Sequence, residues 1–282
     1  MELLDGKRVK KEFFEKLKEE ISKLDRAPGL AVIQVGNDPA SEVYVRQKEK
    51  MANGLGYLFK HIKLNEDVKE EELLNIIDEL NNDDNIDGFL VQMPIPKHIN
   101  PYVVQNRINY LKDVDGLTDI NMGALVHNKE FLVACTPQGI MDLLEYYNID
   151  ISGKNVVIVG RSDLVGKPLA SLMTNSNATV SLCHSKTNNL KSFTKRADIL
   201  VVAVGKPNFI KKEDVKNNAV IIDVGINRLS DGSLCGDVDF ESVKEKASFI
   251  TPVPGGVGQM TVMELAKNTY KAYKLLKTNV KH

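Results

Sequence analysis

The sequence predicts an α/β protein of two α/β domains with parallel sheets, and two patterns carry the prediction. Short apolar runs bounded by glycine or charge alternate with stretches of helical periodicity, first as strand-helix-strand-helix-strand and later as a second such set. The runs read as buried strands, and the βαβαβ order implies a parallel sheet covered by helices. The length agrees, because 282 residues exceed the roughly 100–200 that one ordinary domain holds.

Val9, Phe13, Leu17, Ile21 and Leu24 recur at helical spacing among charges, so the chain is expected to open with an amphipathic helix. "LAVIQVG" (Leu30 to Gly36) follows as a strand, and "PASEVYVRQKEKMANGLG" as a helix begun by Asp38 and Pro39. "YLFKHIKL" reads as a strand, "KEEELLNIIDELNND" as a helix and "IDGFLVQM" as a strand. The pattern pauses after "KDVDGLTDIN", and "TPQGIMDLLEYYN" (Thr136 to Asn148) is a helix expected to bridge the halves. The second set has the strands "NVVIVG", "ATVSLC", "DILVVAV" and "AVIIDVG", and the chain closes on the amphipathic "MTVMELAKNTYKAYKLLK". The boundary is placed near Leu117, giving domains 1–117 and 118–282, with the final helix (260–278) free to pack back on the first.

Composition narrows the partners. The 37 basic and 38 acidic residues nearly cancel, which points away from nucleic acid and from an anionic membrane and toward a small ligand. The start "MELLDGKRVKKEFFEKL" has no apolar signal core, and the longest apolar run, "ILVVAV", is too short to span a bilayer. Cys135, Cys183 and Cys235 are far apart with no C-x-x-C pair, so a reducing, cytoplasmic setting is expected. No metal is expected either, since Cys183 and His184 are adjacent rather than spaced as ligands.

The second half holds a candidate cofactor site. In "NVVIVGRSDLVGKP" a strand ends at Gly160 and a helix carries Pro168 in its first turn, but the second glycine of the usual dinucleotide turn is missing. A free helix N-terminus suits a phosphate. NAD enzymes place an acid about 20 residues beyond the glycines, whereas Cys183-His184-Ser185-Lys186 stand there. A carboxylate would repel a 2′-phosphate, and Arg161, Ser185 and Lys186 can donate to one. NADP and a Rossmann-like domain are therefore expected. Taken alone, Arg161 could equally be a solvated turn residue.

In the first half, Tyr44 and Lys48 lie four apart on one helix and share a face. Alone, Lys48 reads as one more surface lysine and Tyr44 as a core-edge aromatic. Gln92 is less ordinary, an amide near the end of the apolar strand "GFLVQ" that must find partners. At a strand's carboxyl end it can face a ligand cleft. "DVDG" adds Asp113 and Asp115, whose plain reading is an Asp-Gly turn.

Ser41, Tyr44 and Lys48 in S-x-x-Y-x-x-x-K, then "DGFLVQMPIP", "DVDG", "CTPQG", "GRSDLVGKP", "ATVSLCHSKT", "VVAVGKP", "IIDVGIN", "GDVDF" and "TPVPGGVGQMT" occur in one order along the chain. In this the sequence resembles the bifunctional methylenetetrahydrofolate dehydrogenase/methenyltetrahydrofolate cyclohydrolase family over essentially its whole length. Ala134 and Gln259 stand where that family usually has proline, and neither is a catalytic position.

The resemblance implies a folate substrate, oxidation of methylenetetrahydrofolate by NADP, and hydrolysis of the methenyl product to formyltetrahydrofolate. It implies that Lys48 is the catalytic lysine, that Gln92 holds and orients it, that Tyr44 offers an aromatic face to the folate, and that Asp115 binds the pterin's amino and ring N–H groups. Pro254, Gly255 and Gly256 would bring bare backbone close to the ligand. Gly160, Arg161, Ser162 and Ser185 would surround the ribose and phosphate of NADP, with Ile226 near the nicotinamide. A homodimer is implied as well.

Two other readings compete. An NAD(P)-linked amino-acid or hydroxy-acid dehydrogenase could share the two-domain plan, but the acid expected for NAD is missing at Ser185. A non-catalytic NADP-sensing module would have no use for Lys48, Gln92 and Asp115 together.

Overall fold

The computed structural model describes residues 1–279. It is an α/β protein with a parallel six-stranded sheet, a separate three-stranded parallel sheet and a small two-stranded one. In chain order come β1 (Glu2–Leu3), α1 (Gly6–Ile21), β2 (Gly29–Val35), α2 (Pro39–Leu55), β3 (Leu58–Leu64), α3 (Glu70–Asn81) and β4 (Gly88–Gln92). Next are α4 (Pro101–Arg107), α5 (Asp119–Val126), α6 (Cys135–Tyr146), β5 (Asn155–Val159), α7 (Gly166–Asn175) and β6 (Thr179–Cys183). The chain ends with α8 (Leu190–Thr194), β7 (Ile199–Val202), β8 (Val220–Asp223), β9 (Asn227–Arg228), β10 (Leu234–Cys235), α9 (Phe240–Val243), β11 (Phe249–Ile250) and α10 (Val257–Asn279).

Contacts gather these elements into two compact units interleaved along the sequence. The first comprises residues 1–12 and 136–261, and the second residues 13–135 together with the chain from Val262. The sequence pattern suggested a cut near Leu117; by contacts the chain changes unit within α1, at the start of α6 and within α10.

In the second unit β2 lies between β3 and β4, in the order β3-β2-β4, and both pairings are parallel. Leu30, Val32 and Leu90 face one way and pack with Leu17 and Ile21 of α1, Val45, Ala52 and Leu55 of α2, and Met263 and Leu265 of α10. Ala31, Ile33, Val35, Phe89 and Val91 face the other way, against Leu73, Ile77 and Leu80 of α3 and Val104 of α4. A strand clothed on both faces needs apolar residues at consecutive positions, which is why "LAVIQV" and "GFLVQ" do not alternate. α2 starts where the sequence placed it: Asp38 accepts the Ser41 N–H at 2.7 Å, Pro39 follows, and Gly56 ends the helix at φ +79°.

After β4 the chain returns alongside that strand. Phe89 donates its N–H to the Lys112 carbonyl at 2.9 Å, and Phe89 and Asp113 form a parallel bridge. This second pass places "DVDG" beside β4. Gly116, at φ +69°, makes the turn that follows, and a Cβ there would lie 2.4 Å from the carbonyl carbon of Val133.

In the first unit the six strands run β1-β11-β8-β7-β5-β6. Chain order reverses at β5, which has β6 on one side and β7 on the other, so the carboxyl end of β5 is the switch point where open α/β sheets bind ligands. The two-residue strands β1 and β11 pair only with distant partners, and nothing in their local sequence marks them. β9 and β10 form the separate antiparallel pair.

One clamp at the edge of the second unit's sheet is testable. Asp87 is 1% exposed and takes the Arg26 guanidinium through both terminal nitrogens at 2.7 Å, as well as the Gly29 N–H at 2.7 Å. Asp87→Ala leaves these donors unanswered at the start of β2 and should lower unfolding stability by about 2–3 kcal/mol, read from the urea midpoint. A midpoint at the parental value would show that the clamp contributes nothing.

Candidate active site

Lys48 is built into the buried stripe of α2. Ser41, Val45, Ala52 and Leu55 lie on that face of the helix, all buried, and Lys48 occupies the position among them where an apolar residue would normally sit. Its amine donates to Gln92 Oε1 at 2.8 Å, at the carboxyl end of β4. Gln92 spends its own N–H on the Met93 carbonyl at 2.8 Å, which turns the amide so that its oxygen meets the lysine. Burial pushes the Lys48 pKa down from 10.5, while the charge of Asp115 opposes the shift. Tyr44, one turn earlier, is 44% exposed, so its ring is open to a ligand rather than set into the core.

The structure separates the two acids of "DVDG". Asp113 is fully buried and accepts the N–H groups of Gly116 at 3.1 Å and Thr118 at 2.8 Å, along with the side-chain amides of Asn121 and Gln105 at 2.9 and 3.2 Å. It organises the loop. Asp115 is half-buried; burial pushes its pKa up from 3.8, and the Lys48 charge opposes that shift. Burial therefore drives Lys48 and Asp115 toward their neutral forms, and each resists for the other.

Cys135 and Asn268 stand beside this pair, and the sequence reading had not picked out either. The thiol of Cys135 lies 3.2 Å from the Val114 carbonyl and 4.0 Å from Asp115 Oδ1. "CTPQG" contained the cysteine, but Asn268 sits far along the chain in α10, with no local signal.

In the first unit, the turn after β5 requires glycine at position 160. Its φ is +128°, and a Cβ would come within 2.2 Å of the Ala203 carbonyl oxygen. Arg161 and Ser162 are exposed beyond it, and the Ser162 hydroxyl accepts the Val165 N–H at 3.2 Å just before α7. Beyond β6, Thr187 accepts the His184 N–H at 2.8 Å, which fixes the turn and leaves Ser185 and Lys186 exposed. Ile226 is 49% exposed after β8. Gly255 and Gly256 are buried, and the close approach they make within the unit is to the chain itself, with a Cβ on Gly256 only 2.7 Å from the Pro252 carbonyl oxygen; Pro254 is exposed. Gln259 gives its backbone N–H to the Gly256 carbonyl at 3.1 Å, a bond no proline could make.

Two carboxylates missed in the sequence hold these loops. Asp237, fully buried, accepts from Val204, Gly205 and Lys206 N–H at 2.6, 2.9 and 2.8 Å, and from the Asn227 amide at 2.9 Å. Asp223 accepts from Gly225, Asp237 and Val238 N–H at 3.0, 2.9 and 2.9 Å, and burial pushes its pKa up to about 6. The loops following β7 and β8 are thus tied together by acceptor groups that water would otherwise compete for.

Residues 4–115 match the catalytic domain of tetrahydrofolate dehydrogenase/cyclohydrolase, and residues 134–277 match its NAD(P)-binding domain. The chain belongs to this family. As a tetrahydrofolate dehydrogenase/cyclohydrolase it is 52% identical over 275 residues to the bifunctional protein FolD of Bacillus subtilis (strain 168), covering 96% of this chain and 97% of that one. It superposes with a TM-score of 0.97 and 45% identity on a bifunctional FolD methylenetetrahydrofolate dehydrogenase/cyclohydrolase from Campylobacter jejuni, over 98% of this chain and 99% of that one. A Trypanosoma brucei methylenetetrahydrofolate dehydrogenase-cyclohydrolase complexed with NADP and an inhibitor aligns at TM-score 0.92 and 36% identity, over 96% and 97% of the two chains.

The coupling of Lys48 to Asp115 gives a signed expectation for this family member. Followed by NMR, the Lys48 amine should titrate below 10.5. Asp115→Asn removes a charge that favours the ammonium, so the midpoint should fall further. A midpoint that does not move in Asp115→Asn would place Asp115 out of electrostatic reach.

Proposed function

We propose that this chain oxidises 5,10-methylenetetrahydrofolate with NADP and hydrolyses the resulting 5,10-methenyltetrahydrofolate to 10-formyltetrahydrofolate, in one-carbon metabolism. The observation that carries the reading is the Lys48 amine, held by Gln92 out of bulk water and within reach of the Asp115 charge. Residues 13–135 supply Lys48, Tyr44, Gln92 and Asp115 for the folate, and residues 136–261 include Gly160, Arg161, Ser162, Ser185 and Ile226 for NADP.

The folate has to be held before it can react. Asp115 presents a carboxylate to the pterin's amino and ring N–H donors, and the exposed ring of Tyr44 offers an apolar face. NADP supplies a hydride acceptor, and loss of hydride from the carbon between N5 and N10 leaves a cation there. An ammonium beside that cation is repelled, so a lysine already biased toward its neutral amine fits the step.

Water then adds to the cationic carbon and gives one proton to the Lys48 amine, which Gln92 keeps aimed. Collapse of the adduct forms the C=O, breaks the bond from carbon to N5, and transfers the remaining hydroxyl proton to N5. Lys48 finally passes its proton to solvent. Hydrolysis should therefore rise with pH to a midpoint below 10.5, as the amine deprotonates.

The first unit fits NADP in its own terms. No carboxylate stands at the end of β6, where Ser185 and Lys186 are exposed, Arg161 is exposed after β5, and Gly160 permits the tight turn before α7. Arg161 and Ser185 would take the 2′-phosphate, Gly160 and Ser162 the ribose and pyrophosphate, and Ile226 the nicotinamide side. Pro254, Gly255 and Gly256 would offer backbone to the bound ligand.

A cytoplasmic setting is supported by the three free cysteines. Among the described residues no helix is long and apolar enough to cross a membrane. Neither nucleic acid nor membrane is required by this chemistry. A homodimer is proposed on the family resemblance, and sedimentation at the monomer mass at micromolar concentration would exclude it.

Lys48→Met keeps length and removes the proton carrier. It should lower hydrolysis about 10²–10⁴-fold while NADP binding is retained; hydrolysis at the parental rate would remove Lys48 from the mechanism. Arg161→Ala should raise the KM for NADP about tenfold and leave that for NAD nearly unchanged, because only NADP loses a charge-assisted contact. Equal losses for both would make Arg161 a turn residue only.

A further inference from the structure

Among the described residues the Asp115 side chain has no set of hydrogen bonds comparable to that of Asp113, so something else must fix where its carboxylate points. The residue before it is gripped instead. Asn268 of α10, 6% exposed, divides its amide hydrogens between the Val114 carbonyl at 2.9 Å and the Val133 carbonyl at 2.8 Å, joining the two strands of chain on either side of the loop. The Cys135 thiol adds a second donor to the same Val114 carbonyl at 3.2 Å, and Asn268 Nδ2 also lies 3.7 Å from that sulfur.

We propose that Asn268 and Cys135 form a positioning pair: through the Val114 carbonyl they set the peptide that carries Asp115, and thereby the distance of its carboxylate from the Lys48 amine. The inference rests on the role given to Asp115 above.

Three observations fit the assignment. The Val114 carbonyl belongs to the peptide whose nitrogen is that of Asp115, so rotating it swings the acid directly. Val114 is fully buried, so its carbonyl must find its donors within the protein. Burial pushes the Cys135 thiol well above its usual 9.0, which keeps the proton it needs in order to donate. A purely structural asparagine would also satisfy the two carbonyls; it would not be joined by a thiol that reaches Val114 and Asp115 together.

The test compares Asn268→Ala, Cys135→Ala, Cys135→Ser and Asp115→Asn in the full chain. Folate KM, NADP KM, kcat and the pH profile of methenyl hydrolysis are measured for each. Asn268→Ala should raise the folate KM about tenfold, the loss of roughly one well-made hydrogen bond, with NADP KM within twofold of the parent, and should shift the hydrolysis midpoint to lower pH as the Asp115 charge moves from Lys48. Cys135→Ala should shift both quantities the same way but less. Cys135→Ser keeps a donor and should recover most of that loss.

The variants separate the two ideas. If Asp115→Asn leaves folate KM and midpoint unchanged, the role of Asp115 itself is wrong. If Asp115→Asn acts while Asn268→Ala and Cys135→Ala change neither quantity, the positioning pair is wrong. Should Asn268→Ala fail to fold, the two cysteine variants decide: no shift in Cys135→Ala, or no recovery in Cys135→Ser, overturns the proposal.

Discussion

A half-buried amine set in the apolar stripe of α2 is the constraint around which the site of the second unit is built. Lys48 takes a place in the stripe of α2 that Val45, Ala52 and Leu55 fill with apolar groups, and desolvating an ammonium costs several kcal/mol even after relaxation. The surrounding structure limits that cost without abolishing it. Gln92 supplies one acceptor, Asp115 a partial counter-charge, and the apolar layer of Val45, Ala52 and Leu55 against Leu30, Val32 and Leu90 holds α2 on the sheet regardless. What stability is lost by placing a lysine there is returned as reactivity: an amine whose pKa is lowered is free to take a proton over a wider pH range than a surface lysine.

The first unit meets a different demand. Its loops must present backbone and exposed side chains at the carboxyl ends of parallel strands, where no neighbouring strand supports them. Asp223 and Asp237 do this from inside, each accepting several N–H groups from loops distant in sequence. Rigid loops on a sheet edge spare a ligand the entropy of ordering them, so the carboxylates serve binding without touching what is bound.

Legibility followed sequence distance. The strand and helix patterns needed only neighbours a few residues apart, and α2 could be read to its caps because Asp38, Pro39 and Gly56 act locally. Strands β1 and β11 are two residues each and exist through pairings made across the whole chain, so no window could show them. The passage of the chain between units within α1 and α10 is invisible for the same reason: one amphipathic stripe looks continuous whichever core it enters. At the site, Gln92 was conspicuous as an amide in an apolar strand. Asp113 and Asp115 belong to one turn motif, and only the family resemblance singled out Asp115; their different surroundings belong to the fold.

By itself the sequence determined the fold class, the two parallel sheets, the glycine turn after β5, the absence of an acid at Ser185, and the residues worth watching on α2 and β4. All of these follow from side-chain chemistry and short-range geometry. The tertiary structure alone decided the geometry by which Lys48 meets Gln92, that Asp113 braces the loop while Asp115 lies within electrostatic reach of the amine, and that Cys135 and Asn268 converge on Val114. Those facts turn on which groups share a desolvated volume, and burial and electrostatic coupling are properties of packed surroundings that no segment of chain carries alone.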